Sequence, residues 1–334
     1  MKANKPFMAA IAAVLLHGVL FSTCALADDA AKYPDKPINV IVGFAPGGGT
    51  DVYARILSKV LPPFLNDQPL VIVNQSGGAQ VPAMKTVSGS APDGYTLQFI
   101  STGSGVLATK LRDRGVDWFT DFRPIAQIGL VNIILAVPTE RGWKTPQDLV
   151  KAINEAHAKG QKLRWGHPGR GSITNLSIVA WLIKNGLQDK VQDVPYKGGA
   201  PTKVALMGAQ VDFGVLAIQH AAASDGKITA LAMFGNERDP IHAQIPTMEE
   251  AGMPYVPFYS PMVLAASEKV PADIVKKLDA AVKQATETDE FKKLTLNAGL
   301  SVRYRGSQEV MELKERLWKE WQPTVELIKT KTGS

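Results

Sequence analysis

Cysteine is almost absent from this chain: Cys24 is the single one in 334 residues. That excludes a disulfide scaffold and any thiolate metal site. No Lys/Arg-rich run occurs, and the formal charge of +6 comes from 37 basic and 31 acidic residues spread along the chain. Such a mild, scattered excess suits attraction of small anions and excludes a nucleic-acid partner. No apolar stretch reaches the roughly 20 residues needed to cross a bilayer. With 45% hydrophobic and 20% charged residues, the chain is neither disordered, collagen-like nor a polytopic membrane protein.

Catalytic signatures are missing as well. There is no G-x-S-x-G and no H-E-x-x-H. His157, His167, His220 and His242 sit far apart, without ligand-like spacing. The pairs Glu249-Glu250 and Asp28-Asp29 read as solvated faces. We therefore expect no catalytic residues, no metal and no cofactor.

What is present begins with an export signal. Lys2 and Lys5 precede an apolar run from Phe7 to Phe21, at about 15 residues too short for a membrane anchor. Ala25-Leu26-Ala27 supplies small residues at −3 and −1, so cleavage is expected after Ala27. Loss of Lys2 and Lys5 takes the formal charge from +6 to +4. Cys24 leaves too, and an exported chain without cysteine fits a periplasm.

Beyond the signal, β-rich runs alternate with helical periodicity. Ile38–Phe44, Leu70–Asn74, Thr96–Ser101, Leu163–His167, Val211–Ile218, Thr229–Phe234 and Met262–Ala266 read as strands, and Ile125–Val137 as a long crossing. Helical spacing follows in Val52–Leu61, Thr145–Ala158, from Ile173, in Ala272–Thr286 and in Ser307–Lys329. This alternation predicts an α/β fold with a mainly parallel sheet core. Strand, Gly-rich loop and helix occur near residue 47 and again near residue 169, which suggests two lobes with facing loops. No long linker separates them, so the domains are expected to be discontinuous.

Three loops carry the chemistry. Ala45-Pro-Gly-Gly-Gly-Thr-Asp51 places Gly47, Gly48 and Gly49 at a strand's C-terminal end, where N–H groups can approach a ligand. Thr50 or Asp51 is placed to cap the next helix. Free N–H groups and the positive end of the helix dipole favour an anion, and Asp51, which would repel one, reads as a loop-ordering residue. A tight turn without ligand is the competing reading. The loop lacks Gly-Lys-[Ser/Thr] and the G-x-G-x-x-G spacing, so it is no nucleotide site. The second loop, Gly166 to Asn175, offers Arg170, Gly171, Ser172, Thr174 and Asn175. Arg170 can fork onto a carboxylate or stand as a solvated charge, and His167 reads as a structural histidine. The third loop, Ser101 to Gly105, adds the hydroxyls of Ser101 and Ser104, while Gly78 and Gln80 follow the second strand. Trp165 and Tyr196 lie beside these loops, as ring contacts for a ligand or as packing.

As a set, these segments are similar to one family. Tyr33-Pro-x-Lys-Pro-Ile, Phe44-Ala-Pro-Gly-Gly-Gly-Thr-Asp-Val-x-Ala-Arg55, Ala91-Pro-Asp-Gly-Tyr-Thr-Leu97, Asp121-Phe-Arg-Pro-Ile125 and Lys144-Thr-Pro-Gln-Asp-Leu149 occur in order. Val194-Pro-Tyr-Lys-Gly-Gly-Ala-Pro201, Leu206-Met-Gly-x-Gln-Val-Asp212 and Ile245-Pro-Thr-x-x-Glu-Ala-Gly252 follow. The chain resembles the periplasmic substrate-binding receptors of the tripartite tricarboxylate transporters, often called Bug receptors, from about Tyr33 to the last helix. The resemblance implies a two-lobed, Venus-flytrap periplasmic-binding-protein fold: residues 28–128 with 257–334 as lobe 1, and 129–256 as lobe 2. It implies a monomer that captures a small organic carboxylate and passes it to integral-membrane transporter subunits. The implied ligand contacts are Gly47–Asp51, Gly77–Val81 and Ser101–Ser104 in lobe 1, with Gly171–Asn175 and Tyr196–Gly199 in lobe 2. Asn175 stands where the family usually has an imidazole, and Gly214–Ile218 is apolar where an Asp is common, which argues against an amino-acid ligand. An aliphatic di- or tricarboxylate and an aromatic carboxylate both stay open. A ligand sensor on the same fold is the runner-up, and a periplasmic enzyme acting on a carboxylate is the remote third reading.

Overall fold

The computed structural model describes residues 32–222 and 224–332; the expected signal segment and its cleavage point lie outside them. The apolar run Ile38–Val42 forms β1, and the periodic segment after its Gly loop forms α1 (Gly49–Val60), which buries Tyr53, Ala54, Leu57 and Val60. The unit recurs as β2 (Leu70–Asn74) with α2 (Val81–Ser88), and β3 (Thr96–Ser101) with α3 (Thr102–Leu111). A one-turn helix, α4 (Trp118–Asp121), leads into the long β4 (Phe122–Pro138). Then come α5 (Pro146–Ala158), β5 (Leu163–His167), α6 (Ile173–Lys184), β6 (Val191–Pro195), α7 (Gly199–Met207), β7 (Phe213–Ala217), α8 (Ile218–Ala222) and β8 (Ile228–Met233). The chain closes with β9 (Tyr259–Ser267), α9 (Ala272–Glu287), α10 (Asp289–Asn297), β10 (Ser301–Gly306) and α11 (Ser307–Thr332). Local chemistry sets the boundaries: Thr145 and Asp148 form a reciprocal capping box on α5, with Pro146 in its first turn.

Among the described residues the strands order as β2-β1-β3-β9-β4-β7-β5-β6, with β8 and β10 also on β4. β1 runs parallel to β2 and β3, and β5 parallel to β6 and β7. The centre is antiparallel, because β4 is long enough to serve both halves. Its residues Phe122–Asn132 lie on β9, and Ile133–Ala136 lie on β7. The parallel pairing expected from the sequence is thus confined to two outer triplets, and a returning chain fills the middle.

Three buried apolar clusters follow among the described residues, the smallest of them, with Ile134, Leu206 and Leu216, lying in the second half. Tyr53, Leu57, Phe99, Leu264, Leu278 and Val282 pack between the first half of the sheet, α1 and α9. A second cluster runs from Ile100, Val106 and Trp118 through Tyr259 to Ile173 and Trp181, so both halves share apolar contacts at their junction. The segment 289–306 holds α10 and β10, which the sequence reading leaves without elements. Val302 and Tyr304 alternate with Ser301, Arg303 and Arg305, a short half-exposed pattern whose pairing with β4 comes from the tertiary fold.

The last helix is anchored by Lys314, only 4% exposed. Its ammonium donates to the carbonyls of Phe119 (2.9 Å) and Phe122 (3.1 Å) and lies over the rings of Trp118 and Phe119. Burial lowers its pKa to about 8, against the pull of Glu268 and Asp117. The unfolded chain keeps this proton to about 10.4. Between those values the unfolded state binds more protons, so stability rises with pH. Relative to a Lys314→Met variant, the protein should gain roughly 1 kcal/mol per pH unit between pH 8 and 10 in urea denaturation. Equal slopes in both proteins would remove Lys314 as the source.

Candidate functional site

Parallel strands whose C-terminal ends lie side by side deliver their loops to one edge. In the first half, β2, β1 and β3 do this: Val42 stands beside Asn74 on one side and Phe99 on the other. The three loops that follow are tied together. Asn74 Nδ2 donates to Phe44 O (3.0 Å) and to Asp51 Oδ1 (2.8 Å). Asp51 Oδ2 accepts from the Gly47 N–H (2.9 Å) and from Arg55 Nε (2.8 Å). Burial works against the charge on Asp51, yet the bonds from Arg55, Gly47 and Asn74 outweigh it and hold the carboxyl below the usual range. Asp51 therefore folds back on its own loop. The helix cap is Gly48, with no side-chain hydrogen bond, and neither Thr50 nor Asp51 caps α1.

Gln80 performs a similar fixing role one strand away. Its Nε2 donates to Ser101 O (2.9 Å) and its Oε1 accepts from the Ser101 N–H (3.2 Å), with no exposed surface. A side chain at Gly43 would run into Gln80, with Cγ 2.5 Å from the Cβ position. Glycine there is what lets the Gln80 loop lie down on β1. Ala79 and Gln80 both take positive φ (52° and 74°), and these contacts offset that strain. The Ser101 hydroxyl meets Ser260 Oγ at 2.5 Å, Thr50 Oγ1 lies 3.7 Å from Met262 Sδ, and Ser104 is buried in the first turn of α3.

The second half repeats the plan with β5, β6 and β7. Tyr196 N–H donates to His167 O (2.9 Å) and Gly198 N–H to Pro168 O (3.1 Å), joining the loops after β5 and β6. Asp193 gathers Arg170 (2.7 Å) and His167 Nε2 (3.4 Å), while His167 Nδ1 accepts from the Gly169 N–H (3.2 Å). Burial is the main cause that lowers the pKa of His167, so the ring is neutral in this role. Ser172 caps α6 by accepting from the Asn175 N–H, and its hydroxyl meets Gly169 O and Thr174 Oγ1. Asn175 Oδ1 accepts from the Gly171 N–H (3.1 Å). Trp165 is packing: it is 4% exposed and rests on the His167 ring. Tyr196 is half-buried beside Gly166. Gly47, Gly78 and Arg170 are exposed, whereas Thr50, Ser101, Ser104, Thr174 and Asn175 are buried.

Among the contacts that join the halves, which include the buried Ser301 hydroxyl donating to Asp239, two lie at the loops. Gly103 in α3 lies directly against the Ile173 side chain at the start of α6. Gly49 at the start of α1 lies against the Gln219 amide in α8. The loop sets thus face each other. Helices α1, α3 and α7 begin without a side-chain cap, so backbone N–H groups of their first turns are available to an acceptor. Arg55 and Arg170 both hold aspartates. The donors at these helix starts are neutral N–H groups. Gln219 and His220 were missed from sequence, although they directly follow a β-rich run ending at the same edge. A hollow of about 370 Å³ lies elsewhere, at the end of α3, but Asp113, Asp117 and Asp121 line it and make it a poor host for an anion.

A family model described as "Tripartite tricarboxylate transporter family receptor" matches residues 54–330. The protein BugT of Bordetella pertussis is 30% identical over 247 residues, 71% of this chain and 73% of its own. Among solved structures, MatC from Rhodopseudomonas palustris, with bound malate, has a TM-score of 0.77 at 28% identity, covering 88% of this chain and 100% of its own. A second R. palustris protein, with adipate, has a TM-score of 0.74 at 27% identity, covering 88% and 98%.

Proposed function

Since the chain belongs to the tripartite tricarboxylate transporter receptor family, whose members are periplasmic solute-binding proteins, we propose that it captures a small organic carboxylate between two lobes and hands it to integral-membrane subunits. The lobes are residues 28–128 with 257–334, and 129–256. Export and cleavage after Ala27 would deliver a monomer to the periplasm. The observation that carries the reading is the pair of facing loop sets at the ends of β2-β1-β3 and β6-β5-β7, with uncapped helix starts on both sides. A carboxylate accepts from several such donors at once, and exclusion of water on closure strengthens each bond. Ordered waters can bridge donors that a short ligand does not reach. The ligand contacts we assign are Gly47–Thr50, Gly78, Ser101 and Ser104 from one lobe, with Gly171–Asn175 and Tyr196 from the other, and Asp51 acts through the Gly47 N–H that it holds. Gln80 and Arg170 act in the same loops, through Ser101 and Asp193.

The malate and adipate neighbours make aliphatic dicarboxylates the first class to try. The test is a thermal-shift screen of the mature chain, unfolded and refolded to strip retained ligand, against aliphatic, aromatic and amino acids. A ligand at about 100 times its Kd should stabilise the protein by roughly 2.7 kcal/mol. The expected hits are acids without an amine. A response to no acid, or to amino acids alone, would overturn the proposal.

A further inference from the structure

Helix α8 carries two polar side chains that no motif and no part of the family resemblance singles out. Gln219 and His220 are neighbours in sequence, yet they reach different loops. The Gln219 amide nitrogen lies 2.5 Å from where a Cβ on Gly49 would stand, and its own Cβ lies 3.8 Å from where one on Gly299 would stand. The His220 ring fills the corresponding space at Gly199, with Nε2, Cδ2 and Cε1 all in contact range. Any side chain at Gly49 or Gly199 would expel these groups. The absence of a Cβ at both positions is therefore what admits them to the loop sets of the two halves.

Their chemistry is selective. Burial first, and the charge of Lys203 second, hold the imidazole below its usual pKa, so His220 is a neutral ring with one N–H at pH 7. Lys203 is the charged group that bears on it. An amide and an imidazole can donate to an oxygen without the cost of a second buried charge. An ammonium group offers only donors and would meet Lys203.

We infer that Gln219 and His220 are specificity-determining residues, reading a second, oxygen-bearing end of a ligand whose first carboxylate lies on the Gly47–Asp51 and Ser101–Ser104 loops. The inference rests on the receptor reading above and narrows it to acids with a distal carboxylate, against the plain or amine-ended acid of the same length. Calorimetry with matched probes tests it: succinate against butyrate, adipate against hexanoate and its ω-amino analogue. The dicarboxylate of at least one pair should bind about tenfold or more tightly than its partner. A Gln219→Leu/His220→Leu protein should lose that preference, its dicarboxylate affinity falling at least about tenfold more than its monocarboxylate affinity, a pattern that general damage to the fold does not produce. His220→Asn, which keeps a donor, should recover part of the preference. Equal affinities in the wild type, or an unchanged ratio in the double variant, would overturn the inference alone. Binding of no acid in the wider screen would overturn the receptor reading with it.

Discussion

An Asp51→Ala variant is expected to lose about 3 kcal/mol of stability and nearly all carboxylate binding, the loss being that of hydrogen bonds to a charged acceptor. Asp51 is 1% exposed and accepts from the Gly47 N–H, Asn74 Nδ2 and Arg55 Nε. Truncation leaves the Gly47 N–H and the Asn74 amide without that acceptor. Arg55 is half exposed and returns to water at little cost, which keeps the loss below that of a fully buried pair. The consequence for binding is larger than the distance from a ligand suggests. Asn74 also holds Phe44 O, so the same change loosens both ends of the Gly loop. The pH dependence has a fixed sign. The folded pKa lies below the ordinary value, so the stability is fully present above the usual carboxylate range and is lost as pH falls through the folded value. Urea denaturation should therefore show the gap between wild type and Asp51→Asn closing in acid. A variant within about 0.5 kcal/mol of wild type that still binds normally would sink this account.

The same loop shows what sequence reasoning reaches. A β-rich run, three glycines and a return to helical spacing mark β1, its loop and α1 through local pattern alone, and Asp51 declares its ordering role because a carboxylate opposes an anion site. Gly43 is harder. Its importance depends on Gln80 lying across it, a contact between two loops that only the parallel pairing of β1 with its neighbours creates. Gln219 and His220 are harder still. They lie in a five-residue helix, too short for periodicity; the partner Gly49 is fixed by the facing of two half-sheets, and Gly199 by the neighbouring loop of the same half. Arg170 misleads in the other direction: a guanidinium in a Gly-rich loop suggests a carboxylate ligand, but the carboxylate it holds is Asp193. Strand order carries the remaining difference, because the length of β4 was readable but the antiparallel return of β9 onto it was not.

Closure itself is tested where the halves touch. A Gly103→Leu variant should fold, yet fail to close on its ligand. A Cβ at this position would strike Ile173 Cδ1 and stand 3.2 Å from Tyr259 O. The side chain can yield only by moving, because Ile173 is 5% exposed and packed in the shared core. Overpacking of this kind costs about 1–3 kcal/mol. On the receptor reading proposed above, in which α3 and α6 meet as the lobes close, parting the two helices relieves the Ile173 clash, and that part of the penalty falls on the closed state. The competent fraction drops and the apparent affinity drops with it; a penalty of about 2 kcal/mol corresponds to roughly 30-fold. Small-angle scattering should show wild-type protein contracting when a screened acid is added and Gly103→Leu keeping its larger radius. Ile173→Ala, which removes the atom in the way, should restore both contraction and affinity in the double variant. If Gly103→Leu contracts and binds like wild type, α3 and α6 do not set the closed position. If Ile173→Ala rescues stability without affinity, the substitution acts on the core and not on closure.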